Sequence, residues 1–441
     1  MLNQVKTEFL NKISKRDILN RFYNFAPKDE MLIGMELERL PIDKKGYAVI
    51  YDDEKNGGVK QILNQISDIY GWGKLYNDNV LIGLKKGDTT ITLEPGCQFE
   101  ISMAPQKTVK DLKKEIEKID EQITPVFKKK NAKLLEYGIS PKSTANEINV
   151  FPKPRYKYMA NYLPGNLASS MMRETAGIQV AIDFKNEQDA IKKLRIFTKI
   201  SPVMTAMFAN SPIKGGNFTG YKSTRALAWL NTDNARCGLI SEKLFDKNYD
   251  FTFEDYLDAV LNVPMLYISR NHRSKQGIIT PFKKDILING KINFEEFLKY
   301  GYENYNAELQ DYDLQQSLFF PEVRLKNYLE IRNHDCQKGD LKYSIPAIYK
   351  GLAYNENVLN SLIDLFDEFS YEDVMSARYN VPKTALDTDF GNKKIKDLAK
   401  EIITLSKEGL KNDEDLKFLE PIEELTAQNL CPADLISEIN F

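Results

Sequence analysis

Glu330 and Arg332 stand two residues apart in FPEVRLKNYLEIRNHD, residues 320–335, with apolar Leu329 and Ile331 interleaved. If this run is a β-strand, alternation sets Glu330 and Arg332 on one face and Leu329 and Ile331 on the other. A carboxylate beside a guanidinium suits a metal-bound polyphosphate. The carboxylate can hold a hard cation, and the guanidinium takes phosphoryl oxygens. The ordinary alternative for a lone E-x-R is a strand ion pair.

Three further runs repeat the pattern. IGMELERLP sets Glu36 and Glu38 against Met35 and Leu37, and LEPGCQFEIS sets Gln98 and Glu100 against Phe99 and Ile101, with Glu94 just before the Pro-Gly turn. GIQVAIDF sets Gln179 and Asp183 against Ile178, Val180 and Ile182. One such run is a solvated sheet face. Four of them, holding Glu36, Glu38, Glu94, Glu100 and Glu330, predict a sheet whose polar face forms a metal site. Carboxylates crowded there repel one another unless divalent cations lie between them. Oxygen-only ligands point to magnesium or manganese rather than zinc, and the two histidines, His272 and His334, are too few for a histidine-based centre.

In this order, the stretches IGLKKGDTTITLEPGCQFEIS, PKPRYKYMANYLP, FANSP and FPEVRLKNYLEIRNHD resemble the glutamate–cysteine ligases of the plant and proteobacterial type. That family belongs to the glutamine-synthetase-like carboxylate–amine ligases. The resemblance runs from about Lys15 to the C-terminus. It implies an α+β fold, with a curved, mostly antiparallel sheet and helices on its outer side. The whole chain, 1–441, would be one catalytic domain, with a helical flank from about 345 onward. It also implies an ATP- and magnesium-dependent enzyme that makes γ-glutamylcysteine from glutamate and cysteine through a γ-glutamyl phosphate, the first step toward glutathione. The alternative is a related γ-glutamyl ligase with another amine acceptor.

The resemblance further implies roles for single residues. Glu36, Glu38, Glu94, Glu100 and Glu330 match the family's metal ligands, and Gln179 matches a metal or nucleotide contact. Arg332 would steady the transferred phosphoryl, and Asp335 falls at a family position shortly after that strand. Arg225 matches the residue that holds the glutamate carboxylate, and Trp229, Thr232, Asp233 and Arg236 fit the same segment. Tyr267 and Arg155 are candidates on the acceptor side. For Arg225 and Arg236 the plain alternative is pairing with Asp233. The chain departs from the family pattern at Cys97, Gln315, Glu174 and Ala181 and lacks a Trp near Lys142. None of these removes a metal-ligand candidate, so the accepting amine is less defined than the phosphorylating half.

Composition sets outer bounds. A hydrophobic fraction of 42% with 28% charged residues fits a globular chain with ample core. A net charge of −2 gives no basis for a nucleic-acid or membrane partner. Cys97, Cys237, Cys336 and Cys431 are scattered without CxxC spacing, which indicates a reducing setting, taken as cytoplasmic. The N-terminal stretch alternates charged and apolar residues and has no signal-peptide core. A monomer or homodimer acting on small molecules is expected.

The pattern along the chain predicts one or two helices in 1–25, a strand at 33–40 and a helix at 59–76 ending at Gly71. A two-stranded hairpin follows at 78–102, then a long helix at 106–136. Residues 141–166 read as loop, 176–184 as strand and 187–210 as helix. The glycines of KGGNFTG lack any phosphate-loop spacing. Helices at 346–370, 391–410 and 413–428 complete the chain, with Pro432 opening a short one.

Overall fold

The computed structural model describes residues 13–24, 28, 30–53, 57–77, 79–273, 279–281 and 285–438. The fold is α+β. Its centre is an antiparallel sheet of nine strands: β1 (Ile33–Asp43), β2 (Gly73–Asn77), β3 (Val80–Lys86), β4 (Thr89–Leu93), β5 (Phe99–Ser102), β6 (Ala132–Leu135), β7 (Gly177–Ile182), β8 (Val323–Leu325) and β9 (Leu329–Asp335). Their spatial order is β8-β9-β7-β1-β5-β4-β3-β2. β1 is long enough to serve three partners: Ile33–Leu37 pair with β7, Glu36–Arg39 with β5, and Leu40–Asp43 with β6.

Alternation decides what each face does. Leu37 lies opposite Ile101 and Ile178, and Val180 lies between Met35 and Ile331. These residues are fully or almost fully buried and belong to one apolar core that runs from Ile18 to Ala433. Helices Val109–Lys129 and Leu341–Tyr354 pack against β1, and the latter also against β7. The stripe Val109, Leu112, Ile116, Ile119 and Ile123 is buried along the first of these, as its helical period requires. Burying a side chain of this size contributes about 1.5–3 kcal/mol each.

Several boundaries differ from the sequence expectation. The helix expected to run to 136 stops at Lys129. Asn131 adopts a left-handed φ of 55°, and Ala132–Leu135 then joins the sheet as β6. The hairpin at 78–102 is three strands, with β2 added before it. PKPRYKYMANYLP is not loop: Pro154 opens a helix, Pro154–Tyr162, at the position where proline's missing N–H costs nothing. The helix expected over 187–210 is two, Glu187–Lys199 and Ser201–Met207, with Pro202 at the start of the second. The C-terminal region holds helices Leu341–Tyr354, Glu356–Phe366, Tyr371–Thr384, Ile395–Gly409 and Glu420–Ala427. In the N-terminal region only helix Lys15–Tyr23 falls among the described residues; 1–12 lie outside them.

Candidate active site

The polar face of the sheet closes on a cavity of about 260 Å³. Glu38 on β1 lies directly opposite Glu100 on β5, and Glu36 lies between Gln179 on β7 and Ser102 on β5. Glu330 lies opposite Ala181 on one side and Arg324 on the other. Glu94, at the mouth of the turn before β5, completes the ring. All five glutamates line this one cavity, as do Gln179, Arg332, Arg155 and Trp229. Between Ile331 and His334 the β9–β7 ladder shifts register, while on the other side of β9 the Arg332 N–H extends the β8–β9 pairing to the Glu322 carbonyl at 3.0 Å. Such an irregularity frees a side chain to be aimed. Arg332 Nη1 donates to Gln179 Oε1 at 2.6 Å and to Glu330 Oε2 at 2.7 Å.

Charge is unevenly distributed around the cavity. At the β8–β9 end, Glu330 Oε2 accepts from Arg324 Nε and Arg332 Nη1, both at 2.7 Å, and Oε1 accepts from Lys326 Nζ at 2.6 Å. Burial alone would raise the Glu330 carboxyl, but these three cations outweigh it and hold it well below the usual range. Burial would likewise lower Arg332, yet Glu330 raises it further. Glu330 was expected to ligate metal; the structure gives both its oxygens to cations instead. At the β1–β5 end the balance reverses. Burial, then Glu330, raises Glu36. Burial pushes Glu38 up to about 7, with Glu94 adding to the effect while Arg225 opposes it. Glu100 is raised well above the ordinary value by burial and by Glu36, Glu94 and Glu38. Among the described residues, no three His, Cys, Asp or Glu side chains are arranged around one point as a ready cation cage.

Trp229 and Arg332 also line an adjoining chamber of about 40 Å³, which Arg225 borders. The Arg225 and Arg332 guanidiniums lie 6.0 and 5.9 Å from the Trp229 ring centre. Arg225 is brought there by helix Thr224–Leu230, which Ser223 caps by accepting from the Ala226 N–H. Gly177 leaves the room it needs: a Cβ there would sit 2.5 Å from Arg225 Nη2. Arg225 is therefore beside the carboxylate cavity rather than in its wall. Arg155 is in the wall and donates to Ser317 Oγ at 2.6 Å and to its carbonyl at 2.7 Å.

Three expected site residues lie elsewhere. Arg236 is fully buried and engaged by Asp233 at 2.6 Å and by the carbonyls of Leu318 and Pro264. Pairing with Asp233, the plain alternative, is what the structure holds. Asp335 accepts from the Asn210 N–H (2.8 Å), Ser211 Oγ (2.6 Å) and Ser223 Oγ (2.9 Å), so it joins three segments and does not face the cavity. Tyr267 is buried against Tyr158, with ring centres 4.8 Å apart. Asp183, at the end of β7, pairs with Lys28 and accepts from the Leu32 N–H, outside the cavity. His334 is buried between the Ile178 carbonyl and the Tyr349 hydroxyl, and burial lowers its pKa to about 3.

Three cationic cavity residues are not singled out by the sequence reading: Lys153, Arg324 and Lys326. Arg324 and Lys326 are two apart in FPEVRLK, the same alternating signal that singled out Glu330 and Arg332. Tyr156 donates to Glu94 Oε1 at 3.2 Å. Of the departures from the family pattern, Cys97 has a left-handed φ of 67°, which explains a glycine preference there. Gln315 binds the Val263 carbonyl at 2.7 Å, away from the cavity.

A family model described as glutamate-cysteine ligase family 2 matches residues 32–438. The chain belongs to that family. The chloroplastic glutamate–cysteine ligase B of Oryza sativa subsp. japonica is 35% identical over 415 residues, covering 92% of this chain and 80% of that one. The chloroplastic enzyme of Arabidopsis thaliana is 32% identical over 416 residues, covering 93% and 77%. As a member of this ligase family the chain is an enzyme. Two solved structures share the fold. One is glutamate–cysteine ligase from Francisella tularensis in complex with AMP, with TM-score 0.50, 14% identity and 92% and 84% coverage. The other is a bifunctional glutathione synthetase from Pasteurella multocida, with TM-score 0.52, 11% identity and 96% and 51% coverage. The Oryza, Nicotiana and Arabidopsis relatives are named as chloroplastic, which overturns the cytoplasmic expectation. Scattered thiols required only a reducing compartment, and the cytosol is not the only one. Among the described residues no helix is long and apolar enough to cross a membrane.

Proposed function

We propose that the chain joins the γ-carboxylate of glutamate to the amine of cysteine with ATP cleaved to ADP and phosphate. The observation that carries this reading, within a glutamate–cysteine ligase family, is the convergence of five glutamates and Arg332 on one cavity. Ligation of a carboxylate to an amine in water is uphill. Moving the γ-phosphoryl of ATP onto the carboxylate makes an acyl phosphate; the amine then attacks its carbonyl carbon, loses a proton and expels phosphate. Such a transfer calls for alignment and charge stabilisation more than covalent help. Arg332 is fixed by Gln179 and Glu330, with its ring-flanked guanidinium at the junction of the two chambers. It would steady the moving phosphoryl. Arg225 and Trp229 would hold glutamate from the adjoining chamber, and Arg155 would border the acceptor.

Magnesium fits the donor set at the β1–β5 end, because Glu36, Glu38 and Glu100 are oxygen donors held above their usual range by burial and like charge. These three and Glu94 would hold it, and it would neutralise the nucleotide's phosphates. The test is ADP release with glutamate, magnesium and a panel of amines. Cysteine should give the highest rate. Equal rates across the panel would move the proposal to a ligase with another acceptor, and no glutamate-dependent ADP would end it.

A further inference from the structure

Helix Glu187–Lys199 packs against β8 and β9 and shares no lining residue with the carboxylate cavity. Gln188, Lys192, Arg195 and Lys199, spaced four, three and four apart, form one face of it. That face opens on a cleft of about 560 Å³, closed on the other side by the segment 245–252 and by Ile363 and Asp367. Its inner walls include the buried side chains of Ile191, Phe245 and Phe251.

Two cations of this cleft, Lys199 and Arg195, meet only main-chain carbonyls. Lys199 is only 6% exposed, yet its ammonium meets a single acceptor, the Phe366 carbonyl at 3.2 Å. Arg195 Nη2 rests on the Tyr249 carbonyl at 3.0 Å, and its buried Nε has no partner. Neither ends on a carboxylate. The surrounding acids are committed or at the rim. Glu187 accepts from the Phe253 N–H, Asp246 from the Asn248 N–H, Asp367 pairs with Lys247 at 3.1 Å, and Asp250 is exposed. Lys193, six residues before Lys199, shows the usual solution: it is buried and pairs with Asp189 at 2.9 Å. Burial lowers the pKa of both Arg195 and Lys199, outweighing the opposing pull of Asp246 and Asp250 on the first and of Asp367 on the second. A buried cation lacking a partner is costly, and an anion entering the cleft would offset that cost.

We infer that this cleft is a second ligand site, built for a phosphate group, either free or esterified to a small apolar body, with Arg195 and Lys199 as its inner donors and Lys192 and Lys247 at its entrance. A guanidinium fork with ammonium groups around it suits a tetrahedral dianion. The Phe245 and Phe251 walls leave room for an organic substituent.

Titration calorimetry of the full chain with inorganic phosphate and with phenyl phosphate tests this, at ionic strength held constant with sodium chloride. Arg195→Gln should weaken one class of sites about tenfold, the loss of one charge-assisted contact. Lys192→Ala and Lys247→Ala, at partly and fully exposed positions that threaten folding less, should each weaken the same class severalfold. All three should retain wild-type ligase turnover. Tighter binding of phenyl phosphate would assign the site to an ester, and equal binding to the free ion. Identical isotherms for the wild type and all three variants would overturn the inference, as would a signal reproduced by sodium chloride alone.

Discussion

Glu38→Gln should stabilise the ligand-free protein at pH 8 and destabilise it at pH 4. The Glu38 carboxyl titrates near 7 in the folded protein against an ordinary 4.5, chiefly because it is buried. The folded pKa is raised, so the favourable contribution is fully present below 4.5 and is lost as pH rises through about 7. By pH 8 both the folded and the unfolded chain are ionised there, and the folded one bears the whole cost. The interval from 4.5 to about 7 corresponds to about 3 kcal/mol. Glutamine carries none of that cost, but it forfeits a hydrogen bond. The Gly177 N–H (2.6 Å) and Gln179 Nε2 (3.0 Å) each donate to a Glu38 oxygen, and a carboxamide has one oxygen to offer. That loss costs about 1 kcal/mol at any pH.

The two effects leave a gain of about 2 kcal/mol at pH 8 and a deficit of about 1 kcal/mol at pH 4, crossing near pH 5. For 441 residues, unfolding entropy makes 1 kcal/mol worth about 1 °C in Tm. Differential scanning fluorimetry across pH 4–8 should therefore show the variant's Tm curve crossing the wild type's, with about 2 °C in its favour at the alkaline end. Magnesium at pH 8 should raise the wild type's Tm more than the variant's, and the variant's ADP formation should collapse. A variant less stable at both ends of the range, or indistinguishable at both, would refute the idea that carboxylate crowding is a cost stored at this site.

Arg332→Lys should lower kcat by about a hundredfold or more, because an ammonium cannot engage Gln179 and Glu330 while facing a phosphoryl group; steady-state ADP release measures it. Gly177→Ala should raise KM for glutamate with little change in KM for ATP, since the new Cβ displaces the Arg225 guanidinium; equal effects on both substrates would detach Arg225 from glutamate. Asp335→Ala should leave three donors unpaired and cost about 3 kcal/mol of stability by urea unfolding, while KM for ATP stays unchanged. Burial raises all four thiols, Cys97, Cys237 and Cys431 to about 12, so a thiol-directed chromogenic reagent at pH 8 should label the native protein far more slowly than the denatured one.

The polar face of the sheet was legible because alternation is a covalent property of extended chain. Once IGMELER and YLEIR are strands, Glu36, Glu38, Glu330 and Arg332 have to share a face. The same rule would have disclosed Arg324 and Lys326, which occupy alternate positions one hairpin away. Spacing does not tell which polar groups are already satisfied inside the protein. Arg236 and Asp335 stand in segments that match the family, yet their partners are Asp233, main-chain carbonyls and two serines. Backbone geometry was the other blind spot. The proline-rich run at 152–164 reads as loop, yet Pro154 is the first residue of a helix.

The two ends of the cavity make physical sense only together. At the β8–β9 end, one carboxylate holds Arg324, Lys326 and Arg332, leaving an excess of positive charge. At the β1–β5 end, Glu36, Glu38, Glu94 and Glu100 line one wall, and burial and like charge raise the proton affinity of Glu36, Glu38 and Glu100. A neutral ligand would relieve neither end. A bare polyphosphate would meet the cations but be repelled by the acids, and a bare cation would do the reverse. Under the proposed function, a polyphosphate carrying its own divalent ions would answer both ends at once, the acids Glu36, Glu38, Glu94 and Glu100 holding the ions and Arg332 the phosphoryl group. On this account the charge separation along the sheet is what orients the nucleotide. Reversing it, by Glu100→Lys with Arg332→Glu, should therefore abolish nucleotide binding rather than invert its direction, because the remaining acids and cations would then oppose each new partner.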